Sequence, residues 1–343
     1  MRLGLALALL LAAPEARALT GNTAGASAEF LRVGAGARAF GMAEAYGPVA
    51  EGADAIYWNP AGLLQLNGPE LDYTHTEFLR FFSHDHVAFG YPLRSWGAAI
   101  GVSGTFFYQQ AQDAVTNTNQ AAGSFTSHSE AYTLAFAKAI GVGDDYPARD
   151  RDYFLKAWDL AGGYRPLERD NDFWTGSLML GMAIKAVSET LYDVHGQAFA
   201  VDGGALFRPA DLSRLSVSAV FRNLGTQERF IQEQEKLPAE FSTGIAYNFL
   251  GENHRWLPAL EVALPRYGAP YAKIGLEHTL RLGDSAQFAT RLGYRTLSAA
   301  DLGPLTGLTA GVGVRYKRIS FDMGFQPMSD LGDVYRAELG YGF

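Results

Sequence analysis

The chain contains no cysteine. This absence excludes disulfide bonds, thiolate metal sites and a lipid-modified N-terminal cysteine. Basic character is also missing, because the formal net charge is -8 at pH 7, whereas a nucleic-acid partner requires a basic stripe. We therefore expect no nucleic-acid partner and a fold held together without covalent cross-links.

Long apolar runs are scarce as well. One run covers residues 3–13, directly after Arg2, and the small-x-small triplet Ala16-Arg17-Ala18 follows it. A run of about eleven apolar residues is too short to span a bilayer, but it has the form of a secretory signal. We expect residues 1–18 to be a signal peptide removed on export, with no transmembrane helix after it.

Glycine and aromatic residues are abundant. The 343 residues include 39 glycines, 17 tyrosines and 22 phenylalanines, and 48% of the chain is hydrophobic. In a chain without a helical span, this composition favours strands that cross a membrane over a soluble enzyme.

From residue 71 onward, apolar and polar residues alternate with period two. In the last segment Tyr335, Leu339 and Phe343 fall on one face, while Arg336 and Glu338 fall on the other. Segments of roughly nine to eleven residues have the length needed to cross a bilayer at a tilt. The pattern predicts strands at roughly 71–79, 84–91, 95–108, 124–140, 173–189, 196–207, 214–223, 239–249, 257–264, 270–281, 286–296, 307–316, 318–326 and 333–343.

A soluble β-sandwich also alternates, but three features favour a barrel. The apolar faces end in aromatic residues, as interfacial girdles require, and the other faces carry glycine and both signs of charge, which suits a lumen. The last strand can close against the first and leave no edge in lipid. The aromatic residues are Tyr108, Phe249, Tyr294, Tyr316 and Phe343. We predict an all-β fold, a transmembrane antiparallel β-barrel of about 14 strands over residues 71–343, surrounded by outer-membrane lipid. The C-terminal strand ending in Phe343 would engage the barrel assembly machinery.

With an even number of strands and both termini in the periplasm, the connections must alternate between the outer and the inner side of the membrane. Residues 109–123, 224–238 and 297–306 become long outer loops. The short connections 92–94, 208–213, 282–285 and 317–318 become inner turns. Residues 141–172 are long, charged and on the inner side by this count. A helical insert, a misassigned strand nearby and a tolerated surface loop all fit.

The stretch 30–63 precedes the strands and is too rich in small residues to be one of them. Pro60 lacks a backbone donor and disfavours a helical Asn59, while Gly62 permits a tight backbone path. An ordinary Asn-Pro turn before the first strand is the alternative interpretation of these residues. Such a break at membrane depth is stable only when it is buried in protein or faces a water-filled cavity. We predict that residues 19–70 form a plug segment. Its gate residues would be Asn59, Pro60, Ala61, Gly62, Leu63, Gly34, Gly36 and Arg38.

The same run carries a family resemblance. Gly34-Ala35-Gly36-Ala37-Arg38-Ala39 and Trp58-Asn59-Pro60-Ala61-Gly62-Leu63 resemble the PorV/PorQ family of outer-membrane proteins, a branch of the FadL-like fold. The resemblance covers the whole mature chain in layout and implies a 14-stranded barrel with an N-terminal hatch. It also implies one of two roles, which are uptake of hydrophobic molecules and carriage of cargo proteins in type IX secretion.

Other candidate sites are weaker. The pattern Gly34-x-Gly36-x-x-Ala39 matches a dinucleotide fingerprint only in part, since no βαβ unit surrounds it. His75, His84 and His86 could gather near the first hairpin, but no further ligand is identifiable for a metal. Neither a serine, nor a second carboxylate, nor the spacing supports hydrolytic catalysis by them. We expect no cofactor, no metal and no enzymatic activity.

Charged residues within the strands should point into the lumen, because a charge on the lipid face costs a few kcal/mol near the midplane. They could bind a carboxylate headgroup through arginine pairs, or they could pair with one another and fill the interior. The candidates are Arg222, Glu240, Glu261, Lys273, Glu277, Arg281, Arg291, Arg295, Arg315, Asp322, Arg336 and Glu338. The leading hypothesis is passive, gated transport of a hydrophobic, fatty-acid-like molecule. The alternative is a barrel that binds and shuttles exported cargo proteins at the cell surface.

Overall fold

A computed structural model describes residues 27–78, 82–115, 120–140, 178–192, 194–230, 233–283 and 285–343. The predicted signal peptide (1–18) and the charged segment 141–172 lie outside these residues. No helix in the described ranges is long and apolar enough to cross a membrane.

Fourteen long strands account for most of the described chain. They are β1 Glu70–Phe78, β2 Phe82–Leu93, β3 Ala98–Gln109, β4 Ser127–Ile140, β5 Leu178–Leu191, β6 Val194–Phe207, β7 Leu215–Gly225, β8 Glu240–Tyr247, β9 His254–Pro265, β10 Tyr271–Leu282, β11 Ala286–Arg295, β12 Leu308–Tyr316, β13 Ile319–Pro327 and β14 Asp333–Gly342.

The strands form one closed ring. Each strand pairs antiparallel with its neighbours in the chain, and β14 pairs with β1, so that Tyr73 lies opposite Leu339. The backbone N–H of Phe343 also donates to the Pro69 carbonyl at 2.9 Å. Closure leaves no unpaired edge in lipid. The predicted antiparallel barrel of 14 strands is therefore confirmed.

The outer surface of the ring is apolar. Mid-strand residues such as Leu134, Ile184 and Leu339 are about half exposed, although they are large and apolar. Tyr108, Phe249, Tyr316 and Phe343 are exposed near the strand ends, while Tyr294 is half-buried. An apolar band with aromatic residues at its margins is the surface that a bilayer solvates.

The three predicted outer loops lie at the same end of the barrel. We call the end that carries the β1–β2 connection the outer end. Two predicted outer loops contain short hairpins, formed by Gln112–Val115 with Ala121–Phe125 and by Gln227–Phe230 with Glu233–Lys236.

Two predicted boundaries need correction. The predicted loop 297–306 contains a helix, α3 (Thr296–Leu302), followed by the 3-10 turn Pro304–Gly307. The predicted strand 239–249 divides at Asn248, after which Phe249–Leu250 pairs with β9. Alternation alone did not reveal either break.

One irregularity interrupts the wall. The ladder between β6 and β7 shifts register between Val201 and Gly203. There the backbone N–H of Asn223, which has a φ of 56°, donates to Asp202 Oδ1 at 2.8 Å, and Lys185 Nζ lies 2.6 Å from Asp202 Oδ2. A β-bulge thus places a buried polar cluster on the inner face of the wall.

Candidate functional site in the barrel lumen

The described part of the plug segment lies inside the barrel. It forms short turns of helix, namely Glu29–Arg32, α1 (Ala37–Gly41), Gly47–Val49, α2 (Ala55–Trp58) and Pro60–Gln65. Nearly all its apolar side chains are buried, including Met42, Ile56 and Leu63 at 0% exposure. Segments this short have little intrinsic stability, so contacts with the wall must hold them in place.

Asn59 fixes the backbone of the predicted gate. Its side chain is fully buried; Oδ1 accepts from the Ala61 N–H at 3.1 Å, and Nδ2 donates to the carbonyls of Gly47 (3.0 Å) and Ala205 (3.3 Å). Asn59 is extended, with φ -157°, and it caps the turn Pro60–Gln65, in which proline occupies the first position. One side chain therefore joins two parts of the plug segment to strand β6.

The wall makes room for this turn with glycine. Gly181 and Gly204 lie opposite each other in the β5–β6 ladder. A Cβ on Gly181 would lie 2.2 Å from the Ala61 nitrogen, and one on Gly204 would lie 2.1 Å from Asn59 Oδ1. Further inward-facing glycines meet other parts of the plug segment in the same way: Gly90, Gly101, Gly244, Gly275, Gly293, Gly311 and Gly324. The abundance of glycine in the strands is thus explained partly by close approach of the plug segment.

Glycines within the plug segment have local functions. Gly34 and Gly36 have φ values of 79° and 80°, a region that favours glycine. A Cβ on Gly62 would lie 2.3 Å from the Ala50 carbonyl oxygen. These residues let the chain turn tightly inside the lumen, whereas a dinucleotide fingerprint would need a strand before them and a long helix after them.

Arg38 is the main ionic link between the plug segment and the wall. It donates to both carboxylate oxygens of Glu277 on β10, at 2.7 and 2.9 Å. Glu277 also accepts from Arg255 and Arg291, each at 2.7 Å, and Arg291 reaches Asp322 at 2.5 Å. Three guanidinium groups therefore share one carboxylate that is 1% exposed.

Three other wall residues bind the plug backbone or its carboxylates. Glu338 accepts from the N–H of Ala37 at 2.6 Å. Arg336 donates to the Val33 carbonyl at 2.7 Å and stacks over the Phe40 ring at 4.3 Å. Arg295 on β11 pairs with Glu44 at 2.6 Å.

Aromatic residues of α2 face cations of the wall. The Arg222 guanidinium lies 4.9 Å from the Trp58 ring, and Lys273 Nζ lies 5.6 Å from it. Burial raises the pKa of Tyr57 to about 12, so its neutral hydroxyl donates to the Leu31 carbonyl at 2.6 Å. Cation–π contacts add attraction where the cations are desolvated.

The inner wall is chemically asymmetric. Apart from Lys185–Asp202, the ion pairs described above are on strands β7 to β14, together with Arg222–Glu240 at 2.6 Å and Lys273–Glu261 at 3.0 Å. Strands β3 and β4 instead present small uncharged residues: Ala99, Gly101, Ser103, Thr105, Ala131, Thr133, Ala135 and Ala137.

Two apolar clusters cover this uncharged face. Near the outer end, Phe30 and Leu31 pack with Ala131, Val187 and Ala198. Nearer the inner end, Ile56, Leu63, Leu64 and Leu66 belong to a cluster with residues of β3 to β6. The Lys185–Asp202 pair lies between them on β5 and β6, so the uncharged surface runs from end to end on β3 and β4.

The predicted lumen residues face inward. Arg222, Lys273, Glu277, Arg291, Arg336 and Glu338 are buried, and Arg295 is half-buried. The half-buried Arg315 lines a polar cavity of ≈ 60 Å³ with Arg38 and Arg291. The sequence argument missed Lys185, Asp202 and Arg255, which occupy inward positions that alternation could have identified. It also missed the plug carboxylates Glu44, Glu51 and Asp54, for which no periodic signal exists.

The three histidines do not gather. His75 is on the outer face, where Nδ1 lies 2.7 Å from Asp85 Oδ1, while His84 and His86 are buried on the inner face. A strand places alternate residues on opposite faces, so His75 could not join the other two.

Comparison with known proteins gives a fold but no sequence relative. No protein-family profile matches the chain, and no curated protein matches its sequence. The monoaromatic hydrocarbon channel CymD is 12% identical with a TM-score of 0.53, and the match covers 91% of this chain and 98% of that one. The Ralstonia pickettii toluene transporter TbuX is 12% identical, with a TM-score of 0.52 and coverage of 90% and 98%. A Pseudomonas aeruginosa FadL homologue is 10% identical, with a TM-score of 0.50 and coverage of 90% and 98%. The chain therefore has the FadL-like barrel fold.

Proposed function

We propose that this protein is an outer-membrane channel for passive, gated passage of hydrophobic small molecules, and that the plug segment is its gate. The structurally similar proteins include a hydrocarbon channel and a toluene transporter, which supports this class of substrate. The predicted signal peptide would export the chain across the inner membrane, before the barrel inserts into the outer membrane.

The uncharged strip on β3 and β4 carries the proposal. A hydrophobic solute cannot replace the water or the polar partners of a charged side chain. Its path through a protein must therefore avoid charged groups that it would desolvate. The strip provides such a path past the charged strands. The apolar parts of the plug segment cover it both near the outer end and nearer the inner end of the barrel.

The contacts of the plug segment suggest which parts move. Residues 34–51 are anchored by ion pairs and charge-assisted hydrogen bonds to β9, β10, β11 and β14. Residues 28–31 and 55–66 cover the strip mainly through apolar packing, which a hydrophobic solute can replace. Opening would therefore displace the apolar parts while the anchored part stays.

No phosphate-binding motif accompanies this arrangement in the sequence. Flux would then run down the concentration gradient of the solute, with net flow sustained by its removal on the inner side.

Narrowing the strip tests the proposal. Ala135→Val adds two methyl groups at an inward position of β4 that is 2% exposed, and Ala289→Val makes the same change on β11, inside the charged half. In cells that carry the protein in their outer membrane, with cells lacking it as the baseline, we expect Ala135→Val to slow toluene uptake severalfold and Ala289→Val to leave it unchanged. Equal effects of the two substitutions would contradict a path along β3 and β4.

The cargo-carrier alternative depends on the outer loops 109–123 and 224–238. Mass spectrometry of the gently purified protein distinguishes the two functions. A stoichiometric apolar molecule would support transport, whereas a co-purifying secreted protein without such a molecule would favour cargo carriage.

A further inference from the structure

Three buried carboxylates from separate parts of the chain converge beside the barrel seam. Asp54 precedes α2 in the plug segment, Asp72 is on β1, and Glu338 is on β14. One oxygen atom of each lies within 4.8 Å of the corresponding atoms of the other two. The three residues are only 5%, 5% and 8% exposed, so water does little to screen their mutual repulsion.

Their neighbours compensate the charge incompletely. Glu338 accepts from the backbone N–H groups of Ala37 (2.6 Å) and Arg38 (3.3 Å). Asp54 Oδ1 has no hydrogen-bond partner among the described residues. A buried carboxylate oxygen without a donor is costly unless a cation lies next to it.

His86 provides an independent indication that a ligand binds here. It is 1% exposed, and its Nδ1 lies 2.8 Å from Thr105 Oγ1. Its Nε2 finds no partner within the described chain and faces Asp54 Oδ1 at 3.9 Å. If Nε2 carries the proton, this separation is too long for a hydrogen bond; if it does not, two acceptors face each other. In either tautomer, a further group is needed between them.

Thr74 adds a second unpartnered group at the same place. It lies opposite Glu338 in one ladder and opposite His86 in the other. It is fully buried, and its Oγ1 has no partner in the described part of the chain. Two buried polar groups thus border the three carboxylates.

We propose that Asp54, Asp72 and Glu338 bind a divalent cation, and that calcium is the ion that fits. Calcium takes oxygen ligands at about 2.3–2.6 Å, so oxygens on opposite sides of its coordination sphere are about 5 Å apart. Magnesium requires a tighter octahedron with ligands at about 2.0–2.1 Å. A calcium ion also retains water, and its water ligands would hydrogen-bond His86 Nε2 and Thr74 Oγ1.

The ion would join three elements at the point where the barrel closes. Strands β1 and β14 form the seam, and Asp54 is next to α2, whose Tyr57 ring lies 5.8 Å from His86. Binding would therefore hold the plug segment against the seam. The site would bind its ion whatever solute passes through the barrel.

Terbium(III) luminescence tests the site directly, because terbium replaces calcium at oxygen-rich sites and is sensitised by nearby aromatic rings such as Tyr57 and Trp58. The protein is purified in detergent, treated with chelator and titrated with terbium, and calcium is then used to displace it. Asp54→Asn and Glu338→Gln each remove one negative charge, while Asp330→Asn makes a matched change at an exposed position. Circular dichroism checks that each variant retains its strands.

We expect one saturable terbium site that calcium displaces, with affinity at least tenfold lower in Asp54→Asn and Glu338→Gln and unchanged in Asp330→Asn. We also expect calcium to raise the melting temperature of the wild type. If the folded wild-type protein shows no saturable site, the proposal is wrong whatever the variants do. Equal affinity in all four proteins would likewise overturn it.

Discussion

Replacing Asn59 by alanine should loosen the gate while leaving the barrel wall intact. The substitution removes one acceptor and two donor contacts, to Ala61, Gly47 and Ala205. Each lost hydrogen bond costs about 1 kcal/mol, and a buried partner left unpaired can cost more. The closed position of the plug segment should thus lose about 2–3 kcal/mol relative to the open one.

That free energy corresponds to a large population shift. Since about 1.4 kcal/mol is a tenfold change in an equilibrium constant, the open fraction should rise roughly 30- to 150-fold. The wall strands keep their backbone ladders, so the barrel itself should unfold at nearly the wild-type temperature.

Hydrogen exchange measured by mass spectrometry gives the assay. Peptides covering residues 55–66 should exchange faster in Asn59→Ala, by a factor of the same order, while peptides from β10 to β14 should not change. Asn253→Ala, in an exposed turn, serves as the control. Wild-type protection of residues 55–66 in Asn59→Ala would show that Asn59 does not hold the gate closed.

Four further substitutions probe the packing of the lumen and the lipid face. Gly181→Ala should displace the plug segment and speed toluene uptake by cells, because the new Cβ would meet backbone atoms at 2.2–2.3 Å, whereas Gly251→Ala, with its nearest atom at 3.4 Å, should match the wild type in the same uptake assay. Glu277→Gln should destabilise the protein by about 3–5 kcal/mol, since it leaves three arginines without their shared carboxylate. Arg38→Gln should destabilise the protein less than Glu277→Gln, because the other two arginines still pair with Glu277. A larger loss of stability in Arg38→Gln, measured by thermal unfolding in detergent, would contradict this. Leu134→Arg, at a lipid-facing position, should cost about 2–4 kcal/mol in refolding equilibria with vesicles, and a neutral effect would mean that this face is not in lipid.

The sequence predicted the barrel well because the signal for it is periodic and redundant. Each strand repeats the same alternation, so an error of two or three residues at one boundary, as at Phe82 or His254, does not alter the count. The missed elements are those without a period. Helix α3 contains only seven residues, and the break at Asn248 interrupts a pattern that continues on both sides.

The site was predicted only in part, for a related physical reason. A charged residue on an alternating strand must face inward, which identifies Arg336 or Glu277 without any knowledge of its partner. The partners lie in the plug segment, where Glu44, Glu51 and Asp54 follow no period and their positions depend on turns of three to six residues. Ion pairs separated by more than 200 positions, such as Arg38–Glu277, therefore emerge only from the folded structure.

The arrangement of charge also bears on the two interpretations of the lumen arginines. A headgroup-binding site would need guanidinium groups that are free to pair with an incoming carboxylate. Arg38, Arg255 and Arg291 instead converge on Glu277, and Arg222 pairs with Glu240. An entering carboxylate would have to displace a buried acceptor from one of these groups, with no net gain of ion pairs. The charged half of the lumen is thus better suited to anchoring the plug segment than to binding a solute, and selectivity for apolar solutes would arise on β3 and β4, where there is no charge to desolvate.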